Sequence, residues 1–384
     1  MTTALVNGHI LTSHGLQSGF AVLVDAGRIS GLALPSDPRV RQAERHDLGG
    51  RYLLPGFIDC QVNGGGGVLF NDAPTVEGIR AIARAHRRFG TTGLLPTLIS
   101  DEREVMARAI AAVDTAVAEA VPGVLGIHVE GPFLAPDRKG VHDAGRFRIP
   151  DAEDVALVGS LTHGVTLLTL APDRVALDTI RDFIARGVIV AAGHTAADYA
   201  TARAALDVGV RGFTHLFNAM SPFTSRAPGT VGAALEDADS WCGLIVDGHH
   251  VHPASLRVAI AAKPRGKMFL VTDAMPPVGS DRPDFVLNGE TISVHDGKCQ
   301  TADGTLAGSA LDMATAVRHC VTLLGLPLAE AARMASTYPA DFLGLSRTHG
   351  RIAVGRRADF TVMDEDYRVR ETWIGGEMET HDAT

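Results

Sequence analysis

Four residues in this 384-residue chain have the types and settings to do metal-assisted chemistry. Glu130 closes an apolar run in HVEGP and His194 closes another in AAGHT. His215 lies in FTHLFNAM, and Asp273 ends VTDAM. Two imidazoles and a carboxylate suit a borderline divalent ion such as zinc or Fe(II), with one position left open for water. The remaining carboxylate, Asp273, is then placed to take a proton. Each residue also has an ordinary reading. His215 reads as a satisfied core histidine, Glu130 as a helix cap or a lysine's partner, and Asp273 as a turn residue before Pro276 and Pro277. Against these, all four occupy the same level of apolar runs, and burying several ionisable groups without partners costs several kcal/mol.

Such residues meet only if their elements converge. Eight apolar runs follow one another at 53–63, 91–100, 123–132, 164–173, 187–195, 212–220, 241–250 and 267–275. Most are separated by helical stretches such as 76–89 and 102–120. Continuously apolar strands alternating with helices are the pattern of a parallel sheet covered on both faces. Eight units predict a closed (β/α)8 barrel of the TIM type over 55–345, whose chemistry gathers at the C-terminal strand ends. The connection from the sixth run to the seventh is Pro- and Gly-rich with little helix, and 276–304 carries a hairpin excursion. Residues 1–54 and 346–384 read as short strands with Gly, Asp and Pro punctuation. They predict one small β-sandwich domain built from both chain ends, with two separate β appendages as the alternative.

Composition narrows the partners. Hydrophobic residues make up 46%, enough for a large core, and the net charge of −9 comes without a basic block. That argues against nucleic acid and anionic membrane as partners. No apolar run approaches the roughly 18 residues of a spanning helix. The segment before Arg28 lacks the cationic start of a secretory signal. Cys60, Cys242, Cys299 and Cys320 form no CxxC, so reduced thiols and a cytoplasmic location are expected. Cys60 and Cys242, beside site strands, read most simply as packing.

The first apolar run contains Asp59 and Gln61 where many barrel hydrolases carry His-x-His for a second, more buried metal. Neither position holds an imidazole, which favours one metal per barrel and leaves Asp59 and Gln61 as a remnant of a second site. Gly64 to Gly67 follow, as a place where backbone approaches a ligand or as a mobile loop. The run His249, His250, His252 is a further, weaker metal candidate.

The strings LPGFIDCQVNGGGG, HVEGPFLAPDRKGVH, AAGHT, THLFNAMSP, VDGHHVHP, LVTDAMPP and TLAGSALDM occur in this order. On them the chain resembles the N-acetylglucosamine-6-phosphate deacetylase family of the amidohydrolase superfamily over nearly its whole length. The resemblance implies one divalent metal ion per subunit on Glu130, His194 and His215, zinc first, with iron, cobalt or manganese as alternatives. Asp273 would be the general base and acid in hydrolysis of N-acetylglucosamine 6-phosphate to acetate and glucosamine 6-phosphate. Val141 and His142 match the segment that touches the sugar, with Val141 replacing a residue that is often polar. Asn218 and Ala219 match a turn whose amides meet the phosphate, and Arg226 and His250 its cationic partners. Leu306, Ala307 and Gly308 match the lining of the acetyl end. His142 or the metal would steady the developing oxyanion. A homodimer, with Arg226 or His250 reaching a neighbour's pocket, is also implied.

Three rivals stand beside this reading. The galactosamine epimer differs by one hydroxyl that loop geometry reads. An amidohydrolase acting on a cyclic amide is opposed by Arg226, His250 and the NAMSP string. It is opposed too by the lack of a lysine in GVTLLTLAPD for a carbamate bridge. A non-catalytic scaffold is opposed by Glu130, His194, His215 and Asp273 being present together.

Overall fold

The computed structural model describes residues 1–282 and 284–381. Eight parallel strands form one sheet in chain order: β1 (Phe57–Val62), β2 (Thr91–Ile99), β3 (Gly126–Glu130), β4 (Val165–Leu170), β5 (Ile189–Ala192), β6 (Gly212–Phe213), β7 (Trp241–Leu244) and β8 (Met268–Leu270). A parallel bridge between Val62 and Ala274 and a 3.0 Å bond from the Asp273 N–H to the Gln61 carbonyl bring the two sheet edges together. The expected barrel is therefore present and nearly closed. Its strands are buried on both faces, as continuous runs of Val, Ile and Leu require.

Two elements depart from the sequence expectation. The sixth strand, expected over 212–220, stops at Phe213. Beyond it the backbone turns through left-handed φ at His215 (31°), Phe217 (80°) and Ala219 (51°), which no strand accommodates. The next connection, read as nearly helix-free, contains a helix at Gly229–Glu236. The excursion after β8 is a four-stranded antiparallel sheet: Asp284–Leu287, Glu290–His295, Lys298–Gln300 and Leu306–Ser309.

The chain ends share a sheet. Tyr52–Pro55 pairs in parallel with His9–Thr12 and antiparallel with Phe360–Met363. Opposite lies a four-stranded sheet of Thr3–Val6, Ala21–Asp25, Arg28–Ala33 and Glu44–Asp47. Leu5, Ile10, Val22, Phe360, Val362 and Trp373 fill a common core drawn from both termini. Both termini thus meet in one sandwich, and separate appendages are excluded. Residues 382–384 of the expected tail lie outside the described residues. All four cysteines are buried and unpaired.

The helix Val76–Arg87 begins at Thr75, whose hydroxyl accepts the Gly78 N–H. It buries Ile79, Ile82 and His86 against the barrel. His86 explains the glycine cluster. Its Nε2–H donates to the Gly64 carbonyl at 2.9 Å, and a Cβ on Gly65 would lie 2.8 Å from that nitrogen. The Gly66 and Gly67 amides donate to Val278 and Pro276. Those amides are spent inside the protein, so the cluster is a fixed turn and neither a ligand cradle nor a mobile loop.

Burial pushes the His86 pKa down to about 4 from its ordinary 6.5. The unfolded chain gains a proton below about pH 6.5, whereas the folded one stays neutral there until about pH 4. Stability therefore falls as pH drops through that window, by about 3 kcal/mol at its limit. His86→Gln keeps a donor for Gly64 and removes the titration. Its urea-unfolding free energy should decline less between pH 6.5 and 4.5 than that of the parent, and parallel declines would refute the assignment.

Candidate metal centre and its cavity

Glu130, His194 and His215 end or follow β3, β5 and β6, and the barrel turns all three inward. His194 Nε2 lies 3.2 Å and His215 Nε2 3.1 Å from Glu130 Oε1, and the two nitrogens are 3.0 Å apart. Their ligand atoms all lie within 4.8 Å of one another. The His194 Nδ1–H donates to the Arg138 carbonyl at 2.8 Å, which leaves the Nε2 lone pair facing the cluster. Burial alone would raise the Glu130 carboxyl, but bonds from His194 and His215 outweigh it and hold the group well below the usual carboxylate range. Three buried donors with lone pairs converging on one point fit a divalent cation.

Asp273 follows β8 at a left-handed φ of 54°. Its Oδ1 accepts Asn63 Nδ2 at 2.6 Å and Gln61 Nε2 at 3.1 Å. Burial, then the Glu130 charge, pushes its pKa up to about 6, a rise that a cation beside it would reverse. Gln61 Nε2 also reaches Glu130 Oε1 and Oε2 at 3.1 and 3.2 Å, so one amide ties Asp273 and Glu130 together. The side-chain oxygens Gln61 Oε1 and Asn63 Oδ1 are buried without a hydrogen-bond partner among the described residues.

At β1 the two residues of the expected remnant differ in depth. Asp59 lies one step too deep: its Oδ2 accepts Thr272 Oγ1 at 2.6 Å, and burial pushes its pKa up to about 7. Because alternate residues share a strand face, 59, 61 and 63 all point inward, and Gln61 with Asn63 reaches the site. Asn63 closes the first apolar run but was missed, because its partner Asp273 is 210 residues away in sequence.

A cavity of about 260 Å³ opens over the cluster and is lined by Asn63, Val141, His142, Ala219, His250 and Leu306 among others. That is near the lower end for small-molecule sites, roughly 300 Å³. Three other hollows are larger, about 430 Å³ beside Arg318, about 550 Å³ beside Leu34 and about 510 Å³ beside Asp182. Glu379 and His381 line the first of these, but among the described residues the carboxylate and imidazoles that converge closely enough for a cation are Glu130, His194 and His215, so size does not identify the site.

His142 Nδ1 lies 3.3 Å from the Ser100 backbone N–H and 2.8 Å from its Oγ. An amide N–H only donates, so Nδ1 is an acceptor and the ring proton sits on Nε2. Burial, then the neighbouring His194, pushes the His142 pKa down to about 3, keeping it a neutral donor. His250 Nδ1 is 2.6 Å from Asp247 Oδ2, and the ring faces the cavity. His249 instead turns to the Asp296 carbonyl at 3.0 Å, from the bend that follows β7. Ser100 and Asp247 bond His142 and His250, and although both stand at or near the ends of apolar runs, nothing in the sequence pairs them with those rings.

The remaining candidates divide. Leu306 and Gly308 line the cavity, and a Cβ on Gly308 would come within 2.5 Å of Met275 and 2.9 Å of the Asp273 carbonyl. Ala307 points away, into the core with Met275 and Cys299. The Val141 carbonyl accepts Asn288 Nδ2 from the excursion at 3.0 Å. Asn218 and Ala219 both line the cavity, yet the Asn218 N–H is spent on the His215 carbonyl at 3.0 Å. The Ala219 N–H has no backbone partner among the described residues. Arg226 is exposed on the loop after β6 and does not line the cavity of its own chain. Among the described residues no helix is long and apolar enough to cross a membrane.

A ring of eight parallel strands with its ionisable groups gathered at the C-terminal ends defines a (β/α)8 barrel of the enzyme type. The chain belongs to the amidohydrolase family, whose model matches residues 52–378. It is 43% identical over 370 residues to the N-acetylgalactosamine-6-phosphate deacetylase of Shewanella sp. (strain ANA-3), covering 96% of this chain and 94% of that one. It is 34% identical over 379 residues to the N-acetylglucosamine-6-phosphate deacetylase of Haemophilus influenzae, covering 98% and 99%. The crystal structure of N-acetylglucosamine-6-phosphate deacetylase from Pasteurella multocida superposes with a TM-score of 0.96 at 36% identity, covering 99% of this chain and all of that one. A variant of the Mycobacterium smegmatis deacetylase in complex with N-acetyl-D-glucosamine-6-phosphate superposes at 0.89 with 33% identity, covering 98% of each chain.

Proposed function

We propose that the chain hydrolyses the acetamide of N-acetylglucosamine 6-phosphate, giving acetate and glucosamine 6-phosphate. The observation that carries this reading is Asp273 hydrogen-bonded through Gln61 to the Glu130–His194–His215 cluster, in one cavity with His142 and His250. A divalent cation on that cluster, zinc being the first to test, supplies Lewis acidity at neutral pH. Asp273 takes one proton from the attacking water as its oxygen bonds to the acetyl carbon. The same carboxyl delivers that proton to the sugar nitrogen as the C–N bond breaks. The His142 Nε2–H donates to the acetyl oxygen as charge builds there. His250, oriented by Asp247, and the Ala219 amide receive the phosphate. We place the protein in the cytoplasm as a homodimer, with Arg226 reaching the partner's phosphate. The exposure of Arg226, beside a Phe223 that is 62% exposed, supports that role.

A second reading is deacetylation of the galactosamine epimer, favoured by the 43% identity to the Shewanella relative. Acetate release from both 6-phosphates and from unphosphorylated N-acetylglucosamine, with and without chelator, separates the two. Chelator-sensitive release that requires the phosphate is expected, faster for the glucosamine compound. A preference for the epimer would install the second reading, and no release from any of the three would reject both.

A further inference from the structure

One layer below the cluster, the barrel interior carries a chain of polar side chains that the reaction does not use. The Val62 N–H of β1 donates to Thr97 Oγ1 of β2 at 2.8 Å. Thr97 Oγ1 lies 3.2 Å from His128 Nδ1 of β3, and His128 Nε2 lies 2.7 Å from Thr169 Oγ1 of β4. Thr169 Oγ1 in turn lies 2.6 Å from Thr214 Oγ1, just beyond β6. Thr97, His128 and Thr169 are fully buried. The link from Thr169 to Thr214 passes over β5, where the residue is Gly193. A Cβ there would lie 2.7 Å from Thr169 Cγ2 and 3.1 Å from Thr214 Cβ.

Stability does not demand this arrangement. Barrel interiors are ordinarily filled by branched apolar side chains, and valine has the shape of threonine with no hydroxyl to satisfy. The chain's members coincide instead with the candidate ligands. His128 stands two residues before Glu130 on the same strand face, Gly193 directly before His194, and Thr214 directly before His215. Thr169 is the register partner of Glu130. His194 and His215 adopt left-handed φ of 48° and 31°, conformations that persist only where the surroundings fix them. The chain joins the strands that must hold those two backbones and Glu130 at fixed separation.

We propose that Thr97, His128, Thr169 and Thr214 are positioning residues, a hydrogen-bonded girdle that sets the spacing of Glu130, His194 and His215 and hence their affinity for a cation. The proposal rests on the ligand assignment made above. Thr169→Val breaks two links of the girdle at constant shape, Thr169→Ser restores the hydroxyl, and Thr166→Val makes the same change on β4 outside the girdle. The probe is Co(II), titrated into full-length metal-free protein by chelator competition and read by its visible spectrum. Thr169→Val should bind Co(II) roughly 10–100-fold more weakly, the usual cost of losing an outer hydrogen-bond partner, with an altered spectrum. Thr169→Ser and Thr166→Val should match the parent. A lower melting temperature with Co(II) affinity and spectrum intact would show a merely structural role and overturn the proposal. If Thr169→Val does not fold, Thr214→Val, which removes only the terminal link, is judged by the same criterion. Absence of Co(II) binding to the parent protein would overturn the ligand assignment itself, and the girdle's role with it.

Discussion

Asp273→Asn should lower kcat by roughly 10²–10⁴-fold, the range of a lost general base, while metal content stays at the parent's level. The substitution is unusually clean at this position. Asp273 Oδ1 accepts Asn63 and Gln61 at 2.6 and 3.1 Å, and an asparagine carbonyl oxygen can accept both. The φ of 54° is one that asparagine tolerates better than most residues, so the backbone need not move. What changes is the oxygen left free for water, which becomes an NH2 unable to take a proton. Asp273→Ala is the poorer test, because it strands the buried Asn63 and Gln61 donors at about 1–3 kcal/mol. Acetate release under saturating substrate, with metal analysis on the same sample, decides the matter. An asparagine variant retaining a tenth or more of the parent kcat would remove Asp273 from the proton-transfer role.

The contrast between Asp273 and Asn63 shows what a sequence makes legible. Glu130, His194 and Asp273 each stand where an apolar run gives way to polar residues, and a parallel barrel turns that local mark into a shared location. His215 was read from inside its apolar run rather than at its end, and the strand stops at Phe213, short of the 220 that the apolar pattern suggested, because left-handed turns carry no hydropathy signal. Asn63, Ser100 and Asp247 also stand at or near the ends of apolar runs, but nothing in the sequence names the residues they bond. Asn63 meets Asp273 across 210 positions and Ser100 meets His142 across 42, and only the closed fold supplies those contacts. Asp59 was singled out because it stands where many barrel hydrolases carry the first imidazole of His-x-His, and period-two alternation fixes a strand's face without fixing how far along it the mouth lies. The sandwich was legible as strands at both ends, whereas its unity depends on Tyr52–Pro55 pairing with both termini.

Glu130→Gln tests the cluster where its electrostatics are most concentrated. Glu130 is 2% exposed, and its carboxylate faces two imidazole nitrogens that are themselves 3.0 Å apart. In the absence of a cation, that carboxylate accepts from His215 Nε2, while the His194 proton stays on Nδ1 toward the Arg138 carbonyl. With one bound, it supplies the only negative charge among the three donors. Glutamine keeps the shape and removes the charge, and it turns an NH2 toward groups arranged to meet an acceptor. Loss of a direct ligand should exceed the roughly 10–100-fold cost of losing an outer partner. Several kcal/mol of Lewis-acid stabilisation vanish with the cation, so kcat/KM should fall by roughly 10³-fold or more. The thermal readout is independent of turnover. Zinc at 100 times its dissociation constant stabilises a folded site by about 2.7 kcal/mol, so the parent should melt several degrees higher with zinc than with chelator. In Glu130→Gln that zinc-dependent rise should disappear while the melting temperature in chelator stays near the parent's. An undiminished rise in the variant would mean that the stabilising ion binds elsewhere, and Glu130 would then have to be read as a partner of His194 and His215 alone.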